Sequence, residues 1–205
     1  MKRERIGLFG GTFAPPHLGH VRAVKTMLRR IRLDKVIIMP TGIPPHKVKA
    51  KGDTPETRLE MCRAAFGGIK KAEISTFEIE KGGLSYSVET LEHLTNDGRR
   101  IFMLCGGDMF KSLPTWYQAE KIFRLATIVC VPRCKGEYRE LAALVPEYKR
   151  RYGAKIRLIG TNPLEISSTE IRNRIAHGED LDGILPDGVI DIIRRENLYS
   201  GEITE

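Results

Sequence analysis

Arg5-Ile6-Gly7-Leu8-Phe9-Gly10-Gly11-Thr12-Phe13-Ala14-Pro15-Pro16-His17-Leu18-Gly19-His20 (RIGLFGGTFAPPHLGH) decides the architecture. Arg5–Phe9 is an apolar run of strand length, and two glycines and two prolines follow it. From Leu18 to Ile31 the period changes to that of a helix, with Val21, Val24, Leu28 and Ile31 on one face. A strand that enters a helix through a glycine-containing loop is the opening unit of a parallel α/β sheet.

The same alternation runs down the chain. Lys35–Met39 (KVIIM) has the near-continuous apolar character of a strand covered on both faces. Asp53-Thr54-Pro55 combines a capping residue with an early proline and starts a helix that stops at Gly67-Gly68. Ala72–Phe77 reads as a strand, and Ser87–Leu94 as a helix that ends near Asn96-Asp97-Gly98. Arg100–Cys105 (RIFMLC) and Thr127–Val131 (TIVCV) read as core strands, with a helix over about Thr115–Leu125 between them. Glu137–Tyr152 follows as a helix broken near Pro146, Ile156–Ile159 closes the strand set, and helices near Thr169–His177 and Gly188–Asn197 end the chain. This spacing predicts one α/β domain over 1–205. It has a doubly wound parallel sheet of five to six strands, helices on both faces, and a helical C-terminal part from roughly 165 to 205. Sheets of this kind bind ligands at the carboxyl ends of their strands. Gly10–His20 occupies such an end.

Composition narrows the class. With 205 residues, 41% hydrophobic and 29% charged, the chain suits a soluble globular protein with a sizeable core. No apolar run approaches the roughly 20 residues that span a bilayer, and the charged start Met1–Arg5 lacks the apolar stretch of a secretory signal. The expected location is cytoplasmic, with no membrane partner. The 4 cysteines include no C-x-x-C pair, so buried free thiols are expected rather than a zinc site. The net charge of +8 gathers partly in Lys47–Lys51 and Lys149–Arg151. That suits polyphosphates; without an aromatic-rich strand motif or zinc finger, no nucleic-acid partner is expected.

The first loop has phosphate-handling chemistry. Gly10 and Gly11 let the backbone approach a bulky anion, and the helix beginning near His17 turns its dipole toward the loop. His17 and His20, three apart, fall on one face where they can donate hydrogen bonds to phosphate oxygens or offset charge there. The pattern is neither G-x-x-x-x-G-K-[ST] nor G-x-G-x-x-G, and a Gly-Pro turn before two ordinary histidines is the plain alternative. A second signal is Ile166-Ser167-Ser168-Thr169-Glu170-Ile171-Arg172. Ser167 and Glu170 form the S-x-x-E of a capping box, which could be a well-made helix start and no more. Three hydroxyls there, with Arg172 on the first turns, also suit an anion, because arginine can clamp phosphate with two parallel bonds.

GTFxPxHxGH near the start, paired with ISSTEIR near the end, resembles the nucleotidyltransferases that share an H-x-G-H signature. Within them the chain is similar to the bacterial nicotinate-nucleotide adenylyltransferases. PTGIPPHK (Pro40–Lys47), LSYSVETL (Leu84–Leu91), GGDMFKSLPTWY (Gly106–Tyr117) and ILPDGVIDII carry this narrower likeness, which spans nearly the whole chain. The resemblance implies a Rossmann-like fold and adenylyl transfer from ATP to nicotinate mononucleotide. Direct in-line attack at the α-phosphorus gives nicotinate adenine dinucleotide and pyrophosphate, with Mg2+ held mainly by phosphates and water. It assigns His17, His20, Lys47 and Arg172 to catalysis, and Gly10, Gly11, Thr12, Phe13, Gly106, Asp108, Ile166, Ser168 and Thr169 to ATP. It assigns His46, Ser87, Trp116 and Tyr117 to the nicotinate nucleotide, with the Trp116 indole stacked on the pyridine ring. Many relatives carry Asp where this chain has Ala14, which removes any carboxylate role at that position.

The same residues also fit other readings. Nicotinamide mononucleotide or phosphopantetheine as acceptor keeps the histidine chemistry, although phosphopantetheine enzymes tend to have T-x-G-H. A nucleotide- or nucleic-acid-binding protein without catalysis would leave His17, His20, Lys47 and Arg172 without a task. Nothing in the sequence selects monomer or homo-oligomer.

Overall fold

The computed structural model describes residues 3–44, 52–95, 98–134, 136–160 and 164–201. In chain order the elements begin β1 (Arg5–Gly11), α1 (Leu18–Arg30), β2 (Lys35–Pro40), α2 (Pro55–Phe66), β3 (Ala72–Ile74), α3 (Phe77–Lys81) and α4 (Ser87–Thr95). They continue β4 (Arg100–Gly106), α5 (Gly107–Ser112), a 3-10 turn at Leu113–Thr115, α6 (Ala119–Leu125) and β5 (Ala126–Val131). The chain then forms α7 (Glu137–Tyr152), β6 (Lys155–Leu158), α8 (Ser168–Ala176) and α9 (Asp187–Arg195).

The strands form one six-stranded sheet in the order β3-β2-β1-β4-β5-β6. β1 pairs parallel with β4, β4 with β5 and β5 with β6. The order reverses between β1 and β4, the switch point where α/β sheets take ligands. β1 ends in Gly10-Gly11, and β4 runs directly into Gly106-Gly107. The predicted parallel α/β sheet is therefore the fold. Among the described residues no helix is long and apolar enough to cross a membrane.

Two compact units share the chain. The first comprises Met1–Gly10, Ala23–Ile37 and Tyr86–Leu164; the second comprises Gly11–Arg22, Ile38–Ser85 and Glu165–Glu205. In the first, Ile101, Met103 and Cys105 register against Ala126, Ile128 and Cys130, and all six are buried. Cys105 and Cys130 are free thiols; the hydrogen bond between them and then burial push the Cys105 thiol up. Cys62 of the second unit is buried, and that burial pushes its thiol up as well. Cys134 is free and exposed. The core of the second unit is Met61 of α2 with Ile171, Leu185, Val189, Ile190, Ile193 and Tyr199. Each such side chain contributes about 1.5–3 kcal/mol by leaving water.

Four boundaries differ from the sequence reading. β1 extends through both glycines, so they end the strand rather than open the loop. The strand predicted to reach Phe77 stops at Ile74, because Ser75 Oγ accepts from the Phe77 amide at 3.2 Å and turns the chain into α3. The helix predicted over Thr115–Leu125 starts only at Ala119: Pro114 lies in a 3-10 turn, Trp116 is extended, and Gln118 is left-handed at φ 53°. A separate helix, α5, precedes it. Finally, α7 continues through Pro146 without a break. An interior proline costs about 3 kcal/mol. Packing offsets it: Leu141 and Tyr148 are buried, and the Tyr148 hydroxyl donates to the Phe110 and Lys111 carbonyls at 3.2 Å each. The predicted helix end at Asn96-Asp97 lies outside the described residues, as does the basic stretch Lys47–Lys51.

Candidate active site

Two groups of predicted residues assemble, one in each unit. In the second unit they gather where α1 begins. His17 immediately precedes α1, and its carbonyl accepts from the His20 and Val21 amides at 2.9 and 3.2 Å. Its own amide donates to His20 Nδ1 at 3.1 Å. The two imidazoles stack with centroids 3.6 Å apart and planes 25° apart. Buried Phe13 sets its ring edge-on against His20, with centroids 5.2 Å apart. His17 is buried and His20 half-buried.

This geometry fixes the protonation chemistry. Accepting a backbone N–H at Nδ1 places the neutral His20 ring proton on Nε2. Two cations 3.6 Å apart would repel by about 5 kcal/mol at an effective dielectric near 20. Stacking this close therefore sets the two rings against carrying charge at the same time. The first-turn amide of Leu18 is already taken by the Ile184 carbonyl at 2.9 Å.

The loop before His17 is tied back by its carbonyls. Arg58 Nη1 donates to the Thr12 carbonyl at 3.1 Å, Arg172 Nη1 to that of Ala14 at 2.9 Å, and Ser168 Oγ to that of Pro15 at 3.0 Å. Phe13 holds the left-handed backbone (φ 52°) that bulky residues seldom adopt, and the Ala14–Pro15 peptide is cis. With three carbonyl oxygens engaged by donors, the loop opposes an anion less than a free turn would. Ala14 acts here through its backbone carbonyl.

The ISSTEIR segment forms the helix start that its sequence predicts. Ser167 Oγ caps the Glu170 amide at 3.1 Å. Only that half of the capping box forms, because the Glu170 carboxylate pairs with Arg174 at 2.9 Å instead. Thr169 is exposed, and its Oγ1 accepts from Arg172 Nη2 at 3.2 Å. Arg172 thus divides its fork between the Ala14 carbonyl and Thr169. Half-buried Ile166 packs on the apolar core of this unit.

The first unit holds the second group. Gly106 and Gly107 end β4 and open α5, and exposed Asp108 pairs with Arg133 Nη1 at 2.9 Å. Close approach is firm at Gly107, whereas the neighbour of Gly106 is the end of a mobile side chain. A Cβ at Gly106 would lie 2.7 Å from Arg133 Nε, and one at Gly107 would lie 1.8 Å from Glu137 Oε1. Glu137 is buried and fixed: its Oε2 accepts from the Arg133 amide at 2.6 Å, and Lys111 Nζ stands 3.5 Å from Oε1. Hydrogen bonding to Glu140 first, and the Glu137 charge beside it, raise the Lys111 ammonium and keep it charged. Alanine normally improves a helix by about 1 kcal/mol over glycine, but overpacking here costs about 1–3 kcal/mol. Net of the helix gain, Gly107→Ala is therefore expected to lower the melting temperature by up to roughly 8 °C. An unchanged melting temperature would show that Glu137 yields freely.

Trp116 is half-buried at the end of the 3-10 turn, its indole donating to Ser112 Oγ at 3.3 Å. Tyr117 is exposed, its ring 4.8 Å from that of Tyr86, next to Ser87 at the start of α4. At Gly10, a Cβ would meet no atom within 4 Å, so protein packing does not call for glycine there. His46 and Lys47 lie outside the described residues. Sequence reasoning missed Arg58, Arg133 and Glu137.

Residues 8–174 match the family described as cytidylyltransferase-like. A probable nicotinate-nucleotide adenylyltransferase of Clostridium botulinum (strain Alaska E43 / Type E3) is 37% identical over 199 residues, covering 97% of this chain and 100% of the relative. The chain belongs to the cytidylyltransferase-like nucleotidyltransferases. A second member of the family, from Clostridium perfringens (strain 13 / Type A) and named in the same way, is 37% identical over 202 residues, covering 97% of this chain and all of its own. The fold is shared with the nicotinic acid mononucleotide adenylyltransferase of Plasmodium falciparum complexed with NaAD. That structure has a TM-score of 0.71 at 17% identity, covering 96% of this chain and 98% of the other. A putative nicotinate-nucleotide adenylyltransferase of Vibrio parahaemolyticus has a TM-score of 0.64 at 21% identity, with 97% and 99% covered. The family membership makes the stacked histidines at the start of α1 part of an enzyme.

Proposed function

We propose that this enzyme transfers the adenylyl group of ATP to nicotinate mononucleotide, forming nicotinate adenine dinucleotide and pyrophosphate. The observation that carries the reading is the His17–His20 stack at the start of α1, behind a loop whose Thr12, Ala14 and Pro15 carbonyls are held by Arg58, Arg172 and Ser168. The near full-length likeness to proteins named for this activity supports the choice of acceptor.

In this reading a phosphate oxygen of nicotinate mononucleotide attacks the α-phosphorus in line. The bond from that phosphorus to the oxygen bridging to the β-phosphate breaks, and pyrophosphate leaves with the electron pair. No covalent enzyme intermediate forms, so the protein's task is to position two phosphates and offset developing charge. His20 Nε2–H and His17 donate to the triphosphate, and Arg172, His46 and Lys47 add positive charge or donors. Gly10, Gly11 and Phe13 border the phosphates, and Thr12 and Thr169 lie beside them. Gly106, Asp108 and Ile166 take the adenosine, and Ser87, Trp116 and Tyr117 take the nicotinate ring. Mg2+ prefers phosphate oxygens and water to an all-protein cage, and the described residues gather no group of three His, Cys, Asp or Glu for one. When bound it would neutralise charge on the leaving pyrophosphate. The expected location is the cytoplasm.

Label partition tests the reading. With ATP, Mg2+ and nicotinate mononucleotide, label in the α-phosphate should appear in the dinucleotide and label in the γ-phosphate in pyrophosphate. γ-Label released as orthophosphate would replace adenylyl transfer by hydrolysis, and γ-label carried on the acceptor would replace it by phosphoryl transfer.

A further inference from the structure

Arg58 is 2% exposed, a charged side chain placed among the largest fully buried residues. From α2 it reaches four acceptors. Nη1 donates to the Thr12 carbonyl at 3.1 Å and also to that of Thr41, Nη2 to that of Gly42 at 2.8 Å, and Nε pairs with Asp53 Oδ1 at 2.9 Å. Thr12 belongs to the loop before the histidines, whereas Thr41 and Gly42 follow β2. These two segments meet at a further point, where the Thr41 amide donates to the Gly11 carbonyl at 3.0 Å. Gly42 is packed hard from the other side. Its amide donates to Ser85 Oγ at 3.0 Å, and a Cβ there would lie 2.4 Å from the Glu78 carbonyl oxygen.

A buried ion pair is a poor way to gain stability, since well-packed apolar side chains of similar volume often serve as well or better. An apolar side chain cannot hold three carbonyls from two segments in one plane. Lysine has the charge without the planar fork. The geometry points to Arg58 as a positioning residue that fixes the histidine loop against the turn after β2, and so sets the alignment of the reacting phosphates. It touches no reacting atom; it acts through Thr12 on one side and Thr41-Gly42 on the other. This inference rests on the adenylyl-transfer reading for its kinetic consequence, but its structural half stands apart from that reading.

The test compares the wild-type chain with Arg58→Lys, Arg58→Gln and Asp53→Asn. Amide hydrogen exchange is measured first, without substrate. Exchange at Thr41 and Gly42 is expected to speed up at least about tenfold in the Lys and Gln variants, while Val189 and Ile193 in α9 exchange as in wild type. Asp53→Asn retains the guanidinium and its three carbonyls, and should leave Thr41 and Gly42 within about threefold. With ATP, Mg2+ and nicotinate mononucleotide, the Lys variant should then lose about 10–100-fold in kcat with both KM values within about threefold, the scale for misplacement of about 1 Å. Purely structural support would lower thermal stability and leave kcat per folded molecule unchanged. Unchanged exchange at Thr41 and Gly42, a kcat within about threefold of wild type, or equal losses in Asp53→Asn would each overturn the inference. So would failure of both Arg58 variants to fold, which would make Arg58 a folding residue. An inactive wild type would remove the reaction proposed above, and the exchange result would still decide whether Arg58 fixes the two segments.

Discussion

Replacing His20 with alanine is expected to lower kcat by about 10²–10³-fold, the scale for removing one preorganised donor to a developing charge. The ring is half-buried, held by the His17 amide at Nδ1, stacked on His17 and bounded by Phe13. With Nδ1 engaged, Nε2 is the donor to phosphate in the proposed reaction, and alanine would remove it without disturbing the sheet. Circular dichroism and melting temperature should stay close to wild type, because the pair contributes little apolar burial. A glutamine at 20 should recover part of the loss, since its amide can still donate. A drop of only a few-fold in a folded His20→Ala enzyme would reduce His20 to packing for His17.

Trp116→Ala is expected to raise KM for nicotinate mononucleotide by roughly 10–100-fold and to leave KM for ATP within about threefold. Stacking of a base on an aromatic ring is worth about 1–3 kcal/mol, and this indole is half-buried with its one polar atom directed to Ser112. The backbone at Trp116 is extended between a 3-10 turn and α6, so the side chain is carried by a connection and not buried in a helix face. Equal changes in the two KM values would remove Trp116 from the ring site. A large fall in melting temperature would identify it as an anchor for the neighbouring helices.

Much of the fold was legible because its signals are local. KVIIM, RIFMLC and TIVCV are all strands in the parallel sheet, and the Thr54-Pro55 start of α2 caps as its residues predict, with Thr54 Oγ1 accepting from the Thr57 amide at 3.1 Å. The misplaced boundaries lie where tertiary contacts override local preference, as where Tyr148 holds α7 together across Pro146. The histidines were legible because a short motif carries both. Arg58 left a fainter trace: it falls on the same helical face as Met61, Cys62 and Ala65, where a charge is out of place. Glu137 gave no such sign, since its partner is the space over Gly107, thirty positions earlier in the chain and joined to it only by folding.

The most direct measurement of the central claim is kcat/KM for ATP-dependent pyrophosphate release with three acceptors in parallel: nicotinate mononucleotide, nicotinamide mononucleotide and phosphopantetheine. The nicotinate form should be preferred by at least about tenfold, equivalent to roughly 1.4 kcal/mol in the transition state, with one pyrophosphate formed per dinucleotide. Preference for either other acceptor, or no release with any of the three, would contradict it.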